Sequence, residues 1–290
     1  MTLLPGFAVQ RVAAGEVTLN VAVGGSGPPL LLLHGYPQTH AMWHRIAPRL
    51  AERFTVIAAD LRGYGDSDKP APAVDSSNYA KRVMAADLVA AMAALGHAQF
   101  AVCGHDRGAR VAYRMALDRP DCVSRLALLD IVPTRTVYET IDARVATAYF
   151  HWFFLTQPSP LPETLIGADP GFWLDTIFAS WASRADVFDP AALAEYRRCF
   201  DVAASCADYR AGASLDSAHD AADLAAGRRI TCPVLLLWGE RGVVGRAYDP
   251  LTVWRDYADD LRGHAVPGGH FLPEEAPEET LAALRNFLLP

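Results

Sequence analysis

A five-residue segment, Gly104-His105-Asp106-Arg107-Gly108, connects a short apolar run to a stretch with helical character. Phe100–Cys103 reads as a buried strand and Arg107–Leu117 as a helix, so the segment is a tight strand–helix turn. Its glycines allow a turn too tight for a Cβ and push the side chain of Asp106 out over the sheet. The following helix directs free backbone N–H groups and its positive dipole end at that point. The pattern predicts a nucleophile at Asp106; the alternative is an ordinary strand–helix turn.

Short apolar runs and helical stretches alternate around this turn, which is typical of a parallel α/β sheet. The first segment reads as a β-hairpin over Phe7–Ala13 and Val17–Val23. The other predicted strands are Pro29–Leu33, Phe54–Ala59, Val123–Leu129, Val234–Trp238 and a short one near Ala265 and Val266. The other predicted helices are Ser77–Leu95, Pro250–Tyr257 and one around Glu274–Leu289.

The alternation stops between about Ile131 and Ala226. This stretch has no strand signal, is punctuated by prolines and is crowded with aromatic residues, which are Tyr138, Tyr149, Phe150, Trp152, Phe153, Phe154, Phe172, Trp173 and Trp181. We interpret it as a mainly helical cap inserted into the sheet domain. The predicted domains are therefore a core formed by residues 1–130 and 227–290 and a cap formed by residues 131–226.

The composition indicates a globular protein whose partners are neither nucleic acids nor membranes. The formal net charge is −7, so the whole molecule has no attraction to polyanions, and no apolar run approaches the roughly 20 residues of a membrane helix. The N-terminal residues lack the pattern of a secretory signal, which predicts a cytoplasmic protein. The cysteines are odd in number and free of CxxC spacing, which predicts reduced thiols and no zinc site.

Three further segments lie where predicted strands end. They are His34-Gly35-Tyr36-Pro37, the stretch from Asp60 to Ser67, and Gly268-Gly269-His270-Phe271. The last segment places His270 after the final predicted strand, which fits a chain order of nucleophile, acid and histidine. In this combination the sequence resembles the α/β-hydrolase fold family over nearly its whole length. The resemblance implies a mostly parallel eight-stranded sheet flanked by helices, with a helical cap insertion.

An aspartate at the centre of the turn changes the expected chemistry. Asp106 can attack an sp³ carbon and form an alkyl ester, whereas a serine is suited to acyl groups. Resolving that ester requires a base that activates water, which is the natural role of His270; taken alone, His270 could equally be a surface or core histidine. A buried carboxylate must hold the imidazole tautomer. We favour Asp130, after the strand Val123–Leu129, over Glu240, because the usual aspartate after Trp238-Gly239 is absent.

Two arginines on the nucleophile helix indicate an anionic substrate. Arg107 and Arg110 are three residues apart and face the same side of the helix. Their guanidinium groups could clamp a carboxylate by paired hydrogen bonds and offset its repulsion from Asp106. The alternative for Arg110 is a solvated helix face that it shares with Arg114, which we interpret as structural.

The cap supplies candidate donors for a leaving halide. His151-Trp152 and Asp208-Tyr209-Arg210 offer an imidazole, an indole and a phenol group. Three fixed donors aimed at the developing anion would stabilise the transition state. The alternative is that these aromatic residues form the core of the cap, and we prefer that interpretation for Phe153, Trp173 and Trp181.

The chain also contains six longer motifs: GHDRGARVAYRMALDRP, HGYPQTHAMWH, DLRGYGDSDKP, FHWFFLTQP, DYRAG and GGHFLPEEAPEE. Together they resemble the haloacetate (fluoroacetate) dehalogenases. The resemblance implies that Asp106 is the nucleophile, His270 the base and Asp130 its partner. It implies a substrate-carboxylate site at Arg107 and Arg110, and a halide site at His151, Trp152 and Tyr209. It also implies that Tyr36 lines the pocket and shares the oxyanion site with the backbone of Arg107.

The same resemblance implies a small haloacid substrate, a homodimer, and a reaction that needs neither a metal nor an organic cofactor. The first alternatives are an epoxide hydrolase and a haloalkane dehalogenase, which share the aspartate nucleophile and the histidine base. Both usually have tryptophan after the nucleophile, so the arginine at position 107 argues against these two activities. A non-catalytic binding protein of the same fold is the alternative from another class, but such proteins typically lack a member of the triad.

Overall fold

The computed structural model describes residues 3–289 and contains an eight-stranded β-sheet. The strands are β1 (Ala8–Ala14), β2 (Val17–Gly24), β3 (Pro29–Leu33), β4 (Thr55–Ala59), β5 (Phe100–His105), β6 (Val123–Leu129), β7 (Val234–Gly239) and β8 (Leu261–Val266). Their order in the sheet is β1-β2-β4-β3-β5-β6-β7-β8. The first two strands pair antiparallel, and β3 to β8 run parallel.

The register of the parallel strands brings the segments that follow them to one edge of the sheet. β3 and β5 are buried almost throughout because both faces of the sheet are covered, which explains their continuous apolar sequences. Leu33 pairs with Gly104, and His105 pairs with Leu129. The residues that come next in the chain therefore leave the sheet side by side, at its carboxyl edge.

Helices cover the sheet and fill the long connection between β6 and β7. They are α1 (Ala47–Leu50), α2 (Lys81–Ala94), α3 (Arg107–Asp118), α4 (Thr134–Thr140), α5 (Ala143–Ala148), α6 (Phe150–Phe154), α7 (Leu161–Ala168), α8 (Pro170–Trp181), α9 (Pro190–Cys199), α10 (Val202–Ala211), α11 (Ser217–Ala225), α12 (Val243–Ala247), α13 (Pro250–Trp254), α14 (Leu272–Glu275) and α15 (Pro277–Leu288). Within residues 3–289, every helix is too short or too polar to span a lipid bilayer.

Several predicted elements differ from the observed ones at their ends. The helix predicted over Ser77–Leu95 begins as a separate 3₁₀ turn, and the closing helix is divided into α14 and α15. Pro277 starts α15 because its ring has no N–H and fits the first turn of a helix, where that donor is not needed. Strand β8 is longer than predicted, since Leu261–Val266 alternates polar and apolar residues at the edge of the sheet.

The segment between β6 and β7 is helical, as the sequence predicts, and it packs on the carboxyl edge of the sheet. Trp152 and Tyr209 from this segment belong to the same buried apolar cluster as Val102 and Leu128 from the sheet. A π-helical turn, Gly212–Asp216, joins α10 to α11. The helices therefore form a lid over the strand ends, and the division into a core and a cap domain at residues 131 and 226 stays a prediction.

Candidate active site

Asp106 lies on a strained turn between β5 and α3. Its φ of 45° and ψ of −114° are outside the regions that residues with a side chain usually adopt. Gly104 permits the turn, because a Cβ at this position would lie 2.6 Å from the backbone of Ala109. Gly35 permits the close approach of the next segment, since its Cβ would lie 2.5 Å from that of Asp106. Both glycines are therefore required by the placement of the Asp106 side chain.

The Asp106 carboxylate is buried and charged. Its Oδ2 accepts a 3.0 Å hydrogen bond from the backbone N–H of Tyr36. Burial alone would raise the pKa of this carboxyl, but the positive charges of His270, Arg110 and Arg107 outweigh burial and hold the pKa below its usual value. Asp106 is therefore present as the anion, which is the form a nucleophile needs.

His270 and Asp130 form a hydrogen-bonded pair next to the turn. The distance from His270 Nδ1 to Asp130 Oδ2 is 2.7 Å, and Asp130 Oδ1 accepts a 3.0 Å bond from the N–H of Gly239. Asp130 has a positive φ of 54°, which turns its side chain toward the histidine. Glu240, the alternative acid, is exposed. The structure thus places Asp130, and not Glu240, as the partner of His270.

The second ring nitrogen of His270 faces the cavity that contains Asp106. This atom, Nε2, is buried and has no hydrogen-bond partner in residues 3–289. Burial favours the neutral imidazole, but the hydrogen bond and charge of Asp130, together with the charge of Asp106, outweigh burial and raise the pKa of His270 above its ordinary value of 6.5. The geometry allows Nε2 to accept a proton from a water bound beside the carboxylate.

Glu275, a residue not predicted for the site, anchors the loop that carries His270. Its Oε2 accepts hydrogen bonds of 2.8 Å from the N–H groups of Gly269 and Ser183, and Oε1 accepts one of 2.9 Å from Phe271. The carboxylate therefore holds both chain neighbours of His270 and ties them to the helical lid. The sequence shows an acidic residue at this position, but nothing in it indicates which backbone N–H groups the carboxylate binds.

A cavity of about 290 Å³ lies beside Asp106 and His270. Three further residues predicted for the site belong to its wall, namely Arg110, His151 and Trp152. The wall also includes residues that were not predicted, among them Tyr149, Ser180, Trp181, Ser183, Arg241 and Arg246. The nucleophile, the base and two of the three candidate halide donors therefore line one cavity.

Trp181 packs against the buried apolar clusters, as predicted, and it also lies in the cavity wall. Its ring centroid lies 4.4 Å from that of His151 and 5.3 Å from that of His270, in the cavity wall. Its carbonyl oxygen accepts a 3.1 Å bond from the N–H of His270. Phe153 and Trp173 pack against the same buried apolar cluster but are not part of the cavity wall. Spacing could not separate these residues, because a tryptophan has the same helical periodicity whether it faces a core or a cavity.

The two arginines of α3 are both buried, but they differ in their contacts. Arg107 Nε and Nη2 donate to the Asp208 carboxylate at 3.0 and 2.6 Å, and Arg107 is not part of the cavity wall. Arg110 Nη1 donates to Val132 O and Thr134 Oγ1, each at 3.0 Å. Arg107 Nη1 and Arg110 Nε have no partner among the described residues. Protein groups therefore occupy part of each guanidinium group and leave one nitrogen of each without a partner, so the predicted carboxylate clamp stays a prediction.

Asp208 is the centre of a buried charge network behind Arg107. It accepts a 2.6 Å hydrogen bond from Tyr64 Oη and pairs with Lys81, which also lies 3.7 Å from Asp216. Burial would raise the pKa of Asp208, but the charges of Arg107 and Lys81 lower it below its usual range. The sequence indicated Asp208 as a neighbour of Tyr209, and it could not reveal a partner 101 residues away on another helix.

His151, Trp152 and Tyr209 form a cluster above the nucleophile. The ring of Tyr209 lies 5.5 Å from that of His151 and 6.0 Å from that of Trp152. His151 Nδ1 and Tyr209 Oη are buried without a hydrogen-bond partner in the described chain. Burial lowers the pKa of His151 well below its usual value, so the ring is neutral and keeps one N–H donor. The cluster thus contains polar groups that a bound ligand could satisfy.

Tyr36 and Tyr209 lie next to the cavity rather than in its wall. The two rings are 5.3 Å apart, and the Tyr36 hydroxyl accepts a 2.6 Å hydrogen bond from Trp173 Nε1. The ring of Tyr36 packs beside His151 and Trp181, which do line the cavity, and the prediction that Tyr36 itself lines the pocket stays a prediction. The structure does show that the backbone N–H of Tyr36 donates a hydrogen bond to Asp106.

Comparison with known families agrees with this architecture. A family model described as the alpha/beta hydrolase fold matches residues 28–277. The chain belongs to the α/β-hydrolase fold family. The predicted fold class is confirmed by this match and by the mostly parallel eight-stranded sheet flanked by helices.

Within the α/β-hydrolase fold family, the resemblance to haloacetate dehalogenases is also confirmed. A fluoroacetate dehalogenase from Burkholderia sp. is 48% identical over 99% of this chain and 95% of its own. A soluble epoxide hydrolase from Corynebacterium sp. is 35% identical and covers 94% of each chain. The crystal structure of a candidate α/β hydrolase from Nostoc sp. PCC 7120 superposes with a TM-score of 0.96 at 56% identity, covering 98% of both chains.

Proposed function

We propose that this protein is a hydrolytic dehalogenase that cleaves the carbon–halogen bond of haloacetates, converting fluoroacetate to glycolate and fluoride. The observation that carries the proposal is the shared cavity, in which an ionised Asp106, the base His270 and the cationic Arg110 face one another. The similarity to the Burkholderia fluoroacetate dehalogenase supports the same reaction.

The first step is a displacement at the α-carbon. The hydrogen bond from Tyr36 holds Asp106 Oδ2, so Oδ1 is the oxygen that attacks. A C–O bond forms as the carbon–halogen bond breaks, and the halide leaves with the bonding electron pair. Arg110 Nε and Arg107 Nη1, the unpartnered guanidinium atoms, hold the substrate carboxylate against the repulsion of Asp106.

Three donors stabilise the leaving halide. The imidazole of His151, the indole of Trp152 and the hydroxyl of Tyr209 supply one hydrogen bond each. Their positions are fixed by packing, so they need no reorganisation as negative charge develops on the halogen. This matters most for fluoride, whose strong hydration must be replaced by protein donors.

The second step hydrolyses the ester between glycolate and Asp106. His270 Nε2 takes a proton from water, and the resulting hydroxide attacks Cγ of Asp106. The backbone N–H groups of Tyr36 and Arg107 stabilise the oxyanion on Oδ2. Collapse breaks the ester bond, glycolate leaves with the proton from His270, and the net products are glycolate, halide and one proton. Both steps balance without a metal or an organic cofactor.

Ester formation also prepares the base for its task. The negative charge of Asp106 contributes to the raised pKa of His270 in the resting enzyme. Esterification removes that charge, so the pKa of His270 falls and the unprotonated imidazole becomes more populated. A larger fraction of His270 is thus unprotonated at the step in which it must accept a proton.

Epoxide hydrolysis is the second candidate, because two lid tyrosines lie at the site. Tyr149 is in the cavity wall, and the Tyr209 hydroxyl has no partner within residues 3–289. A pair of tyrosines could protonate the oxygen of an opening epoxide. Arg107 and Arg110, however, add positive charge that a neutral epoxide does not require, and this favours the haloacid.

The test is halide release from fluoroacetate and chloroacetate, measured beside diol formation from a small terminal epoxide. We expect halide and glycolate in equal amounts and little diol. An Asp106→Asn variant is the matched control and should release no halide. Diol formation without halide release would contradict the proposal and support epoxide hydrolysis.

A further inference from the structure

The cavity is larger than a haloacetate requires. A haloacetate has five non-hydrogen atoms, and at about 30 Å³ for each water-sized atom it fills at most roughly 150 Å³. The cavity measures about 290 Å³. The cavity therefore has room for more than a haloacetate and the hydrolytic water.

Two arginines line this cavity in addition to Arg110. Arg241 and Arg246 lie in the segment after β7, and both side chains are exposed where the cavity meets solvent. The segment passes directly beside the triad, because a Cβ on Gly242 would lie 3.3 Å from Asp130 Oδ1. Arg246 Nε donates a 3.2 Å hydrogen bond to the carbonyl of Gly242, which holds its side chain over this segment.

The charges of Arg241 and Arg246 are not neutralised by the protein. In residues 3–289, no carboxylate oxygen lies within 4.0 Å of either guanidinium group, so neither forms an ion pair of the kind that Arg198 forms with Asp66. The protein as a whole carries a formal charge of −7. What distinguishes Arg241 and Arg246 is that both line the cavity, where two positive charges without an ion-pair partner would attract anionic groups.

We propose that Arg241 and Arg246 form a second anion subsite, which takes the distal carboxylate of a 2-halodicarboxylate such as a 2-halosuccinate. The reaction rests on the proposed function: Asp106 displaces the halide from the α-carbon, and hydrolysis of the ester gives the 2-hydroxydicarboxylate, halide and one proton. The α-carboxylate occupies the site at Arg110, and the second carboxylate reaches outward to the two arginines. The outer subsite thus selects substrates by a charge that a haloacetate lacks.

Equilibrium binding of reaction products tests the subsite independently of turnover. The probes are malate, the product expected from 2-chlorosuccinate, and its distal monoamide, which has nearly the same shape but lacks the second charge. Titration calorimetry at fixed ionic strength should show malate binding about tenfold more tightly than the monoamide, the difference expected for a charge-assisted contact. In the double variant Arg241→Gln/Arg246→Gln, this ratio should fall to about one.

Arg144→Gln provides the matched control. Arg144 lines a neighbouring depression with Arg246 but is not part of the cavity wall, so the wild-type ratio should persist. Absence of malate binding, a ratio near one in the wild-type protein, or an unchanged ratio in the double variant would overturn the subsite. A failure of the proposed function would be seen separately, as an absence of chloride release from chloroacetate. The ratio of malate binding to monoamide binding would still test the subsite in that case.

Discussion

The backbone N–H of Tyr36 donates a 3.0 Å hydrogen bond to Asp106 Oδ2. The bond results from the pairing of Leu33 with Gly104, which brings the segments after β3 and β5 side by side. It makes the two oxygens of the nucleophile unequal. One oxygen is held by a donor that later stabilises the oxyanion, and the other is free to attack carbon.

Asp130 should be essential for ester hydrolysis, and Glu240 should not. Asp130→Asn keeps the shape of the side chain but favours the wrong imidazole tautomer, so we expect a loss of about 10³–10⁴-fold in the rate of the second step. Glu240→Gln is the control, because this exposed residue does not contact His270. Single-turnover measurement of glycolate release would decide between them, and equal losses in both variants would exclude Asp130 as the specific partner.

Arg110 should contribute to recognition of the substrate carboxylate. Arg110→Leu removes a charge from the cavity wall, so kcat/KM for chloroacetate should fall on the order of 10- to 100-fold more than kcat/KM for a neutral chloroalkane. Arg114→Leu is the comparison variant, because Arg114 is also buried on α3 but pairs with Asp223 away from the cavity. Parallel losses on charged and neutral substrates would show that Arg110 acts by packing.

The pKa of His270 should depend on the charge of Asp106. In the wild-type protein the pKa lies above 6.5, because the attraction of Asp130 and Asp106 outweighs burial. Asp106→Asn removes one of these charges, as ester formation does, and should lower the His270 pKa. Turnover should therefore rise with pH as His270 loses its proton. An NMR titration of both proteins checks the shift, and identical midpoints would refute the coupling.

Glu275 should stabilise both the loop of His270 and its attachment to the lid. Glu275→Ala leaves three backbone N–H groups without their acceptor, which costs about 1–3 kcal/mol for each group that stays buried. We expect a lower melting temperature and a slower hydrolytic step. Glu278→Ala, on the exposed face of α15, should change neither quantity. A Glu275 variant with wild-type stability and rate would show that the loop does not need this anchor.

Much of the fold could be predicted from local sequence. Continuous apolar runs identified β3 and β5, because strands buried on both faces need no polar alternation. The ends of elements were less accurate, since they depend on tertiary contacts. Strand β8, for example, extends over Arg262 and His264, whose polar side chains are tolerated at the sheet edge but hide the strand signal.

The site was predictable where a motif fixes local geometry. Asp106 follows from its turn, and His270 follows from its position after the last strand. Contacts between distant segments were not predictable. Nothing local reveals that Asp208 occupies part of the Arg107 guanidinium, or that Trp181 faces the cavity. These relationships arise from how the helices of the lid pack on the sheet.

The covalent state of Asp106 in a His270→Asn variant is the most direct test of the central claim. Without the base, the ester should form and persist, so incubation with chloroacetate should add one carboxymethyl group to the peptide that contains Asp106, as measured by mass spectrometry. The double variant Asp106→Asn/His270→Asn should remain unmodified. An unmodified Asp106 peptide, or normal turnover by His270→Asn, would contradict the mechanism.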